Sequence, residues 1–195
     1  MLAALILAAG ESKRMGTPKA LLQHEGRTFL ERLLVAARHP QIAITRVVLG
    51  CHSEQVQAKL QLVPSSIVLN PEWAKGQLSS VQAGLKALPT GTTDGAILFL
   101  VDHPFVSSRL VDTLIGQFYR SNKSIVLPVF REKRGHPVIF SSTLYDELLA
   151  APADVGARAV VWAHASEVLE VPTEEEGVVL NLNDPDALRR ALASC

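Results

Sequence analysis

Residues 8–19, Ala8-Ala9-Gly10-Glu11-Ser12-Lys13-Arg14-Met15-Gly16-Thr17-Pro18-Lys19, bring together the groups that hold a polyphosphate. Small residues let backbone N–H groups approach an anion closely, and Lys13, Arg14 and Lys19 supply the neutralising cations. Pro18 stiffens the loop just before Lys19. A solvated connecting loop has the same composition, so composition by itself leaves both readings open. The spacing matches neither common phosphate-binding pattern. There is no Gly-x-x-x-x-Gly-Lys-Ser/Thr, and Gly10 and Gly16 are too far apart for Gly-x-Gly-x-x-Gly. A second group is Asp102, in Val101-Asp102-His103-Pro104. A carboxylate at the end of a central strand is placed to hold Mg²⁺ against nucleotide phosphates, because Mg²⁺ takes oxygen ligands and usually only one or two carboxylates. The same residues also fit a turn in which Asp102 caps the next helix.

These groups sit at the ends of elements that the apolar pattern sets out. Residues 2–8 read as a short buried strand that stops at Gly10. Thr28-x-x-Glu31 is a capping box, and the helix it opens carries Phe29, Leu30, Leu33, Leu34 and Ala37 at helical spacing, ending near His39-Pro40. Residues 46–49 read as a strand, 53–60 as a helix and 66–69 as a third strand. The order βαβαβ predicts an α/β fold with a parallel sheet, whose ligands sit outside the C-terminal strand ends. Residues 95–101 are apolar throughout, as a strand buried on both faces should be.

The third strand runs into a polar loop, residues 70–80, containing Asn70, Gly76, Ser79 and Ser80. Ser79 or Ser80 can cap the helix that follows, and the same loop can hold a base or ribose. Further on, 107–119 is expected as a helix and 124–130 as a strand. Residues 131–140 read as a charged turn and an apolar strand, a hairpin. A helix over 144–149 and strands over 167–171 and 178–180 follow. Glu174, Glu175 and Glu176 read as a solvated turn, and Trp73, Trp162 and His164 as packing or surface residues. A short helix to Leu192 closes the chain, with Asp184 as N-cap and Pro185 in its first turn.

The chain has 195 residues, 48% of them hydrophobic and 19% charged, which supports a substantial core and one domain over 1–195. Its 19 basic and 19 acidic residues balance, which argues against broad nucleic-acid or anionic-membrane binding. Cys51 and Cys195 form no metal motif and fit a reducing cytoplasm. The first apolar run is too short to span a bilayer, and no basic segment precedes it.

Six ordered segments resemble one family. Residues 7–19 are similar to the signature L-A-A-G-x-S-x-R-M-G-x-P-K of nucleotidyltransferases that build sugar nucleotides and molybdenum cofactor dinucleotides. Residues 70–80 resemble the N-P-x-W-x-x-G-x-x-S-S segment of the molybdenum cofactor cytidylyltransferase group. Asp102-His103-Pro104, Gly135-His136-Pro137-Val138 and Asp154-Val155-Gly156-Ala157-Arg158 resemble further segments, and Asn181-Leu182-Asn183-Asp184-Pro185 resembles the family ending. The chain is thus identified as a member of the MobA-like NTP transferases. Val101, His103 and Ala153 depart from the usual pattern.

The resemblance implies a three-layer α/β/α sandwich, Rossmann-like, with a mostly parallel sheet and one antiparallel strand. It implies transfer of a nucleoside monophosphate from an NTP, CTP by the Ala-Ala-Gly form, to a phosphorylated small-molecule acceptor. Molybdopterin-type cofactor is the implied acceptor, and the setting leaves room for a molybdoenzyme maturation partner. Ala8, Ala9, Gly10, Ser12, Arg14, Lys19, Asn70, Gly76, Ser79, Ser80 and Asp102 are then nucleotide-binding. Arg14, Lys19 and Asp102 are catalytic, and Asp102 and Asn183 hold Mg²⁺. His103, His136 and Arg158 face the acceptor; His103 also fits as a space-filling residue, His136 as a hairpin residue and Arg158 as the partner of a local carboxylate. Two alternatives stay open: a sugar-phosphate or alcohol-phosphate acceptor, and a nucleotide-binding regulatory protein without catalysis.

Overall fold

A computed structural model describes residues 1–182 together with 186, 188 and 189. Its elements in chain order are β1 (Leu2–Ala8), α1 (Phe29–Ala36), β2 (Ile42–Leu49), α2 (Ser53–Lys59), β3 (Ile67–Leu69), α3 (Gln77–Lys86) and β4 (Gly95–Leu100). Then come α4 (Ser108–Arg120), β5 (Ile125–Phe130), β6 (Val138–Ser141), α5 (Tyr145–Ala150), α6 (Arg158–Ala163) and β7 (Val168–Pro172). The main sheet runs β7-β5-β6-β4-β1-β2-β3. β1 pairs in parallel with β2 and β4, so the ends of β1 and β4 lie side by side at the centre. β6 is antiparallel to both β4 and β5, between which it is inserted.

Strand alternation divides the interior in two. Leu2, Ala4 and Ile6 of β1, with Ile97 and Phe99 of β4, pack under α1, α2 and α4. Leu5 and Leu7, with Leu98 and Leu100, pack under α3, α5 and α6 on the opposite face. The three-layer α/β arrangement follows, because a sheet apolar on both faces needs a helical layer on each.

Local signals explain most boundaries. Glu31 N donates to Thr28 Oγ1 at 3.2 Å and Thr28 N donates to Glu31 Oε2 at 2.8 Å, closing the capping box on α1. That box holds the Glu31 carboxyl below its ordinary value. The 131–140 hairpin forms through a two-residue turn at Arg131 and Glu132, both at positive φ, with Phe130 paired to Lys133.

Three expectations are corrected. Ser79 and Ser80 lie inside α3, whose N-cap is Gly76. The strand expected over 178–180 does not form: residues 176–178 make a 3₁₀ turn, and 179 and 180 belong to no strand. Glu175 is more than a solvated residue: Ser107, the N-cap of α4, donates to it through both N and Oγ, at 3.2 and 2.5 Å. The expected closing helix with its Asp184 cap lies outside the described residues.

Candidate active site

At the C-terminal ends of β1 and β4 the loop after β1 encloses a cleft of about 580 Å³. The cleft is lined by Ala8, Ala9, Gly10, Glu11, Ser12, Lys13, Arg14 and Lys19, together with Trp73, Gly76, Gln77, Ser80, Asp102 and Asn181. The loop turns where Ser12 adopts a left-handed conformation, φ 55°. Ser12 Oγ then accepts from the Lys19 backbone N at 3.0 Å, drawing the two ends of the loop together. From outside, His52 Nε2 donates to the Glu11 carbonyl at 2.7 Å, and Cys51 N donates to the Ala9 carbonyl at 3.1 Å. Gly50 is required here, since a Cβ on it would stand 2.6 Å from the Ala9 carbonyl oxygen.

Lys19 and Asp102 are 83 positions apart in the chain, yet Lys19 Nζ lies 3.3 Å from Asp102 Oδ2. Both side chains are mostly buried. Among the described residues Glu11 is the other carboxylate lining the cleft, and it pairs with Lys13 at 3.1 Å. Among the described residues no group of three or more His, Cys, Asp or Glu side chains could hold a metal. Asp102 therefore presents a single carboxylate, a donor set suited to a hard dication completed by phosphate oxygens and water. Asn183, expected as its companion, lies outside the described residues.

A second cleft of about 480 Å³ adjoins the first and shares Leu7, Gln77 and Leu100 with it. Its floor is apolar, from Leu78, Val81, Leu98, Leu127 and Phe140, and its rim carries Arg134, His136, Arg158 and Trp162. His136 N donates to the Val178 carbonyl at 2.9 Å. His136 is half-buried as a residue, and its Nδ1 is sealed from solvent. Burial, then the neighbouring His103, pushes the His136 imidazole down to about 4, so it is neutral at ordinary pH.

His103 is 7% exposed and lines neither cleft. Its Nδ1 donates to the same Val178 carbonyl at 3.1 Å, its ring stands 5.2 Å from that of His136, and its Nε2 is 3.9 Å from Asp102 Oδ1. Burial holds this imidazole below its ordinary value, while Asp102 acts in the opposite direction.

The sequence-predicted residues thus separate. Ala8, Ala9, Gly10, Ser12, Arg14, Lys19, Gly76, Ser80 and Asp102 gather in the first cleft, and His136 and Arg158 in the second. Asn70 and Ser79 line neither. Asn70 Nδ2 donates to Ser79 Oγ and Ser80 Oγ at 2.9 and 3.0 Å, which braces the start of α3. Sequence reading passed over Trp73, Gln77 and Trp162. Trp73 lay inside a loop already marked as polar. Trp162 is 63% exposed on a short helix, and no periodicity distinguishes it.

A Rossmann-like sheet with a cationic loop beside a strand-end carboxylate, and a second cleft next door, defines a nucleotide-dependent group-transfer enzyme. Residues 4–168 match the MobA-like NTP transferase domain, and the chain belongs to that family of nucleotidyltransferases. It is 33% identical over 165 residues to nicotine blue oxidoreductase of Paenarthrobacter nicotinovorans, covering 79% of this chain and 78% of that protein. It is 25% identical over 190 residues to molybdenum cofactor cytidylyltransferase of Escherichia coli K12, covering 93% and 91%. Its fold overlays on Rv0371c of Mycobacterium tuberculosis H37Rv with a TM-score of 0.85, at 27% identity and full coverage of both chains. That protein has also been solved as a manganese complex.

Among the described residues no helix is long and apolar enough to cross a membrane.

Proposed function

We propose that the chain, as one nucleotidyltransferase domain over residues 1–195, transfers a nucleoside monophosphate from an NTP to a phosphorylated acceptor and releases pyrophosphate. One observation carries the reading: a cationic cleft ending at Asp102 opens directly into an apolar one with basic residues at its rim. A triphosphate suits the first, and an acceptor body suits the second. The reacting phosphates then meet at their shared edge, beside Leu7, Gln77 and Leu100.

Chemically, an oxygen of the acceptor phosphate attacks the α-phosphorus in line and pyrophosphate leaves. The acceptor phosphate is already ionised at neutral pH, so no general base is needed. Positioning and charge neutralisation supply the catalysis. The backbone of residues 8–10 and Ser12 shape the cradle, and Arg14 and Lys19 neutralise the triphosphate. Asp102, with Asn183, would hold a divalent cation, Mg²⁺ in the first instance; when bound it supplies charge neutralisation at the transferring phosphate. Gly76 and Ser80 face the base or ribose, with Asn70 and Ser79 bracing them. His136 and Arg158 face the acceptor.

CTP and a molybdopterin-type acceptor in the cytoplasm are the preferred pair. The Ala-Ala-Gly form of the first motif and the similarity to a molybdenum cofactor cytidylyltransferase support them. Pyrophosphate release with CTP, GTP, ATP and UTP in turn, with and without the pterin, tests this. Release that needs both CTP and the pterin is expected. Release with another base moves the substrate, and no release with any pair refutes the reading. The similarity to an oxidoreductase favours one other reading, a redox reaction on a bound organic substrate, for which a nicotinamide dinucleotide is the first co-reactant to test. The chain lacks the Gly-x-Gly-x-x-Gly fingerprint of such enzymes. Loss of reduced-nicotinamide absorbance without pyrophosphate release would establish that alternative.

A further inference from the structure

We propose that His103 is a direct ligand, through Nε2, of the divalent metal held by Asp102, and that it tilts this site from Mg²⁺ toward a nitrogen-accepting first-row dication such as Mn²⁺. The inference rests on the reading of Asp102 as a metal ligand given above.

The hydrogen bonds dictate the tautomer. The Val178 carbonyl carries no hydrogen, so at 3.1 Å His103 Nδ1 must be the donor. A neutral imidazole with its hydrogen on Nδ1 has a lone pair on Nε2. That atom lies 3.9 Å from Asp102 Oδ1. Two electron-pair donors therefore face one another. The other carboxylate oxygen, Oδ2, is already met by Lys19 Nζ at 3.3 Å. The Gly177 carbonyl also meets this imidazole, beside Val178, and among the described residues no side chain bridges Oδ1 and Nε2, a gap that a dication would fill. The far side of the ring has the arrangement of a metal-binding histidine, whose second N–H is ordinarily donated to a carbonyl or carboxylate. Burial and the adjacent His136 ring hold the imidazole in this orientation. An all-oxygen site suits Mg²⁺, whereas imidazole nitrogen raises affinity along the first-row series.

The competing occupant is a proton on Nε2, which would make an imidazolium–carboxylate pair. Pulsed electron paramagnetic resonance separates the two. Mn²⁺ is added with inorganic triphosphate, which contains no nitrogen. Nuclear modulation from a directly bound ¹⁴N is expected in the wild-type protein. His103→Gln should remove it and weaken Mn²⁺ at least about tenfold, while Mg²⁺ affinity stays within about threefold. Bound Mn²⁺ without nitrogen modulation, or modulation that survives His103→Gln, overturns the proposal. Asp102→Asn distinguishes the layers. If Mn²⁺ binds that variant as it binds wild type, or fails to bind wild type, the reading of Asp102 fails and this inference with it. If Asp102→Asn abolishes binding and the wild-type spectrum has no nitrogen, only the role of His103 fails. Should His103→Gln not fold, Zn²⁺ added to wild-type protein labelled with ¹⁵N-histidine gives the same answer: the Nε2 resonance of the ring that stays protonated at Nδ1 must shift, and an unmoved resonance refutes the ligation.

Discussion

The two clefts share an edge but are built in opposite ways. The first is made largely from one contiguous stretch, residues 7–20, closed by the turn before α3, the start of α3, the end of β4 and Asn181. Its wall is backbone, small side chains and cations. The second draws its walls from β4, β5, β6, α3 and α6 and includes residues as far apart as Leu7 and Trp162. Its floor is aliphatic and aromatic. A triphosphate is the same in every NTP and can be held by N–H groups and charge, which one loop provides. An acceptor body is recognised by shape, which requires side chains from several elements. In the proposed reading the first cleft fixes the class of reaction, and the second is where relatives of one fold differ.

Substitutions can break this division or sharpen it. The largest effect is expected from Asp102→Ala, a loss of pyrophosphate release of about a thousandfold or more with the melting temperature little changed. A near-normal rate with Mg²⁺ present would remove Asp102 from the chemistry. Lys19→Ala should follow, with about a hundredfold loss in kcat/KM for the nucleotide. If turnover and nucleotide binding both barely change, the Lys19–Asp102 contact is structural only. Arg158→Ala, in the second cleft, should raise the acceptor KM about tenfold and leave the nucleotide KM alone, since one surface ionic contact is worth little more than that. Equal changes in both constants would mean that the clefts do not divide the substrates as proposed.

Two changes away from both clefts serve as controls. Thr28→Ala opens the capping box on α1 and should cost about 1 kcal/mol in urea unfolding with both KM values unchanged. The smallest effect concerns Tyr119, whose hydroxyl donates to Asp94 Oδ2 at 2.9 Å. Burial, then Asp94, pushes the phenol up from 10.0 to about 12. Folding therefore favours the neutral phenol. That contribution is complete below pH 10 and is lost as pH rises through about 12. A tyrosinate absorbance titration should show Tyr119 ionising late in wild type and earlier in Asp94→Asn. Coincident curves would contradict the assignment.

Much of the first cleft was legible in the chain, because its residues are close in sequence and their chemistry does not depend on distant packing. The capping box at Thr28 and Glu31 was legible for the same reason, as was the apolar run of β4. Ser79 and Ser80 misled as caps because Gly76, three residues earlier, starts the helix first. Glu175 looked solvated because its partner, Ser107, is 68 positions away. The hairpin of residues 131–140 was legible, but its insertion between β4 and β5 was not, since strand order depends on how the whole sheet closes.

By itself, then, the sequence determined the phosphate-type loop, the strand-end carboxylate and the alternating β and α pattern that places them at one sheet edge. The tertiary structure alone decided that Lys19 meets Asp102, that an apolar cleft opens beside them, and that His103 faces Asp102 rather than either cleft. The physical reason is that local chemistry is written in neighbouring residues, while side-chain direction is set by packing. Where His103 points depends on the Val178 carbonyl that accepts its Nδ1 hydrogen bond, 75 positions further along the chain.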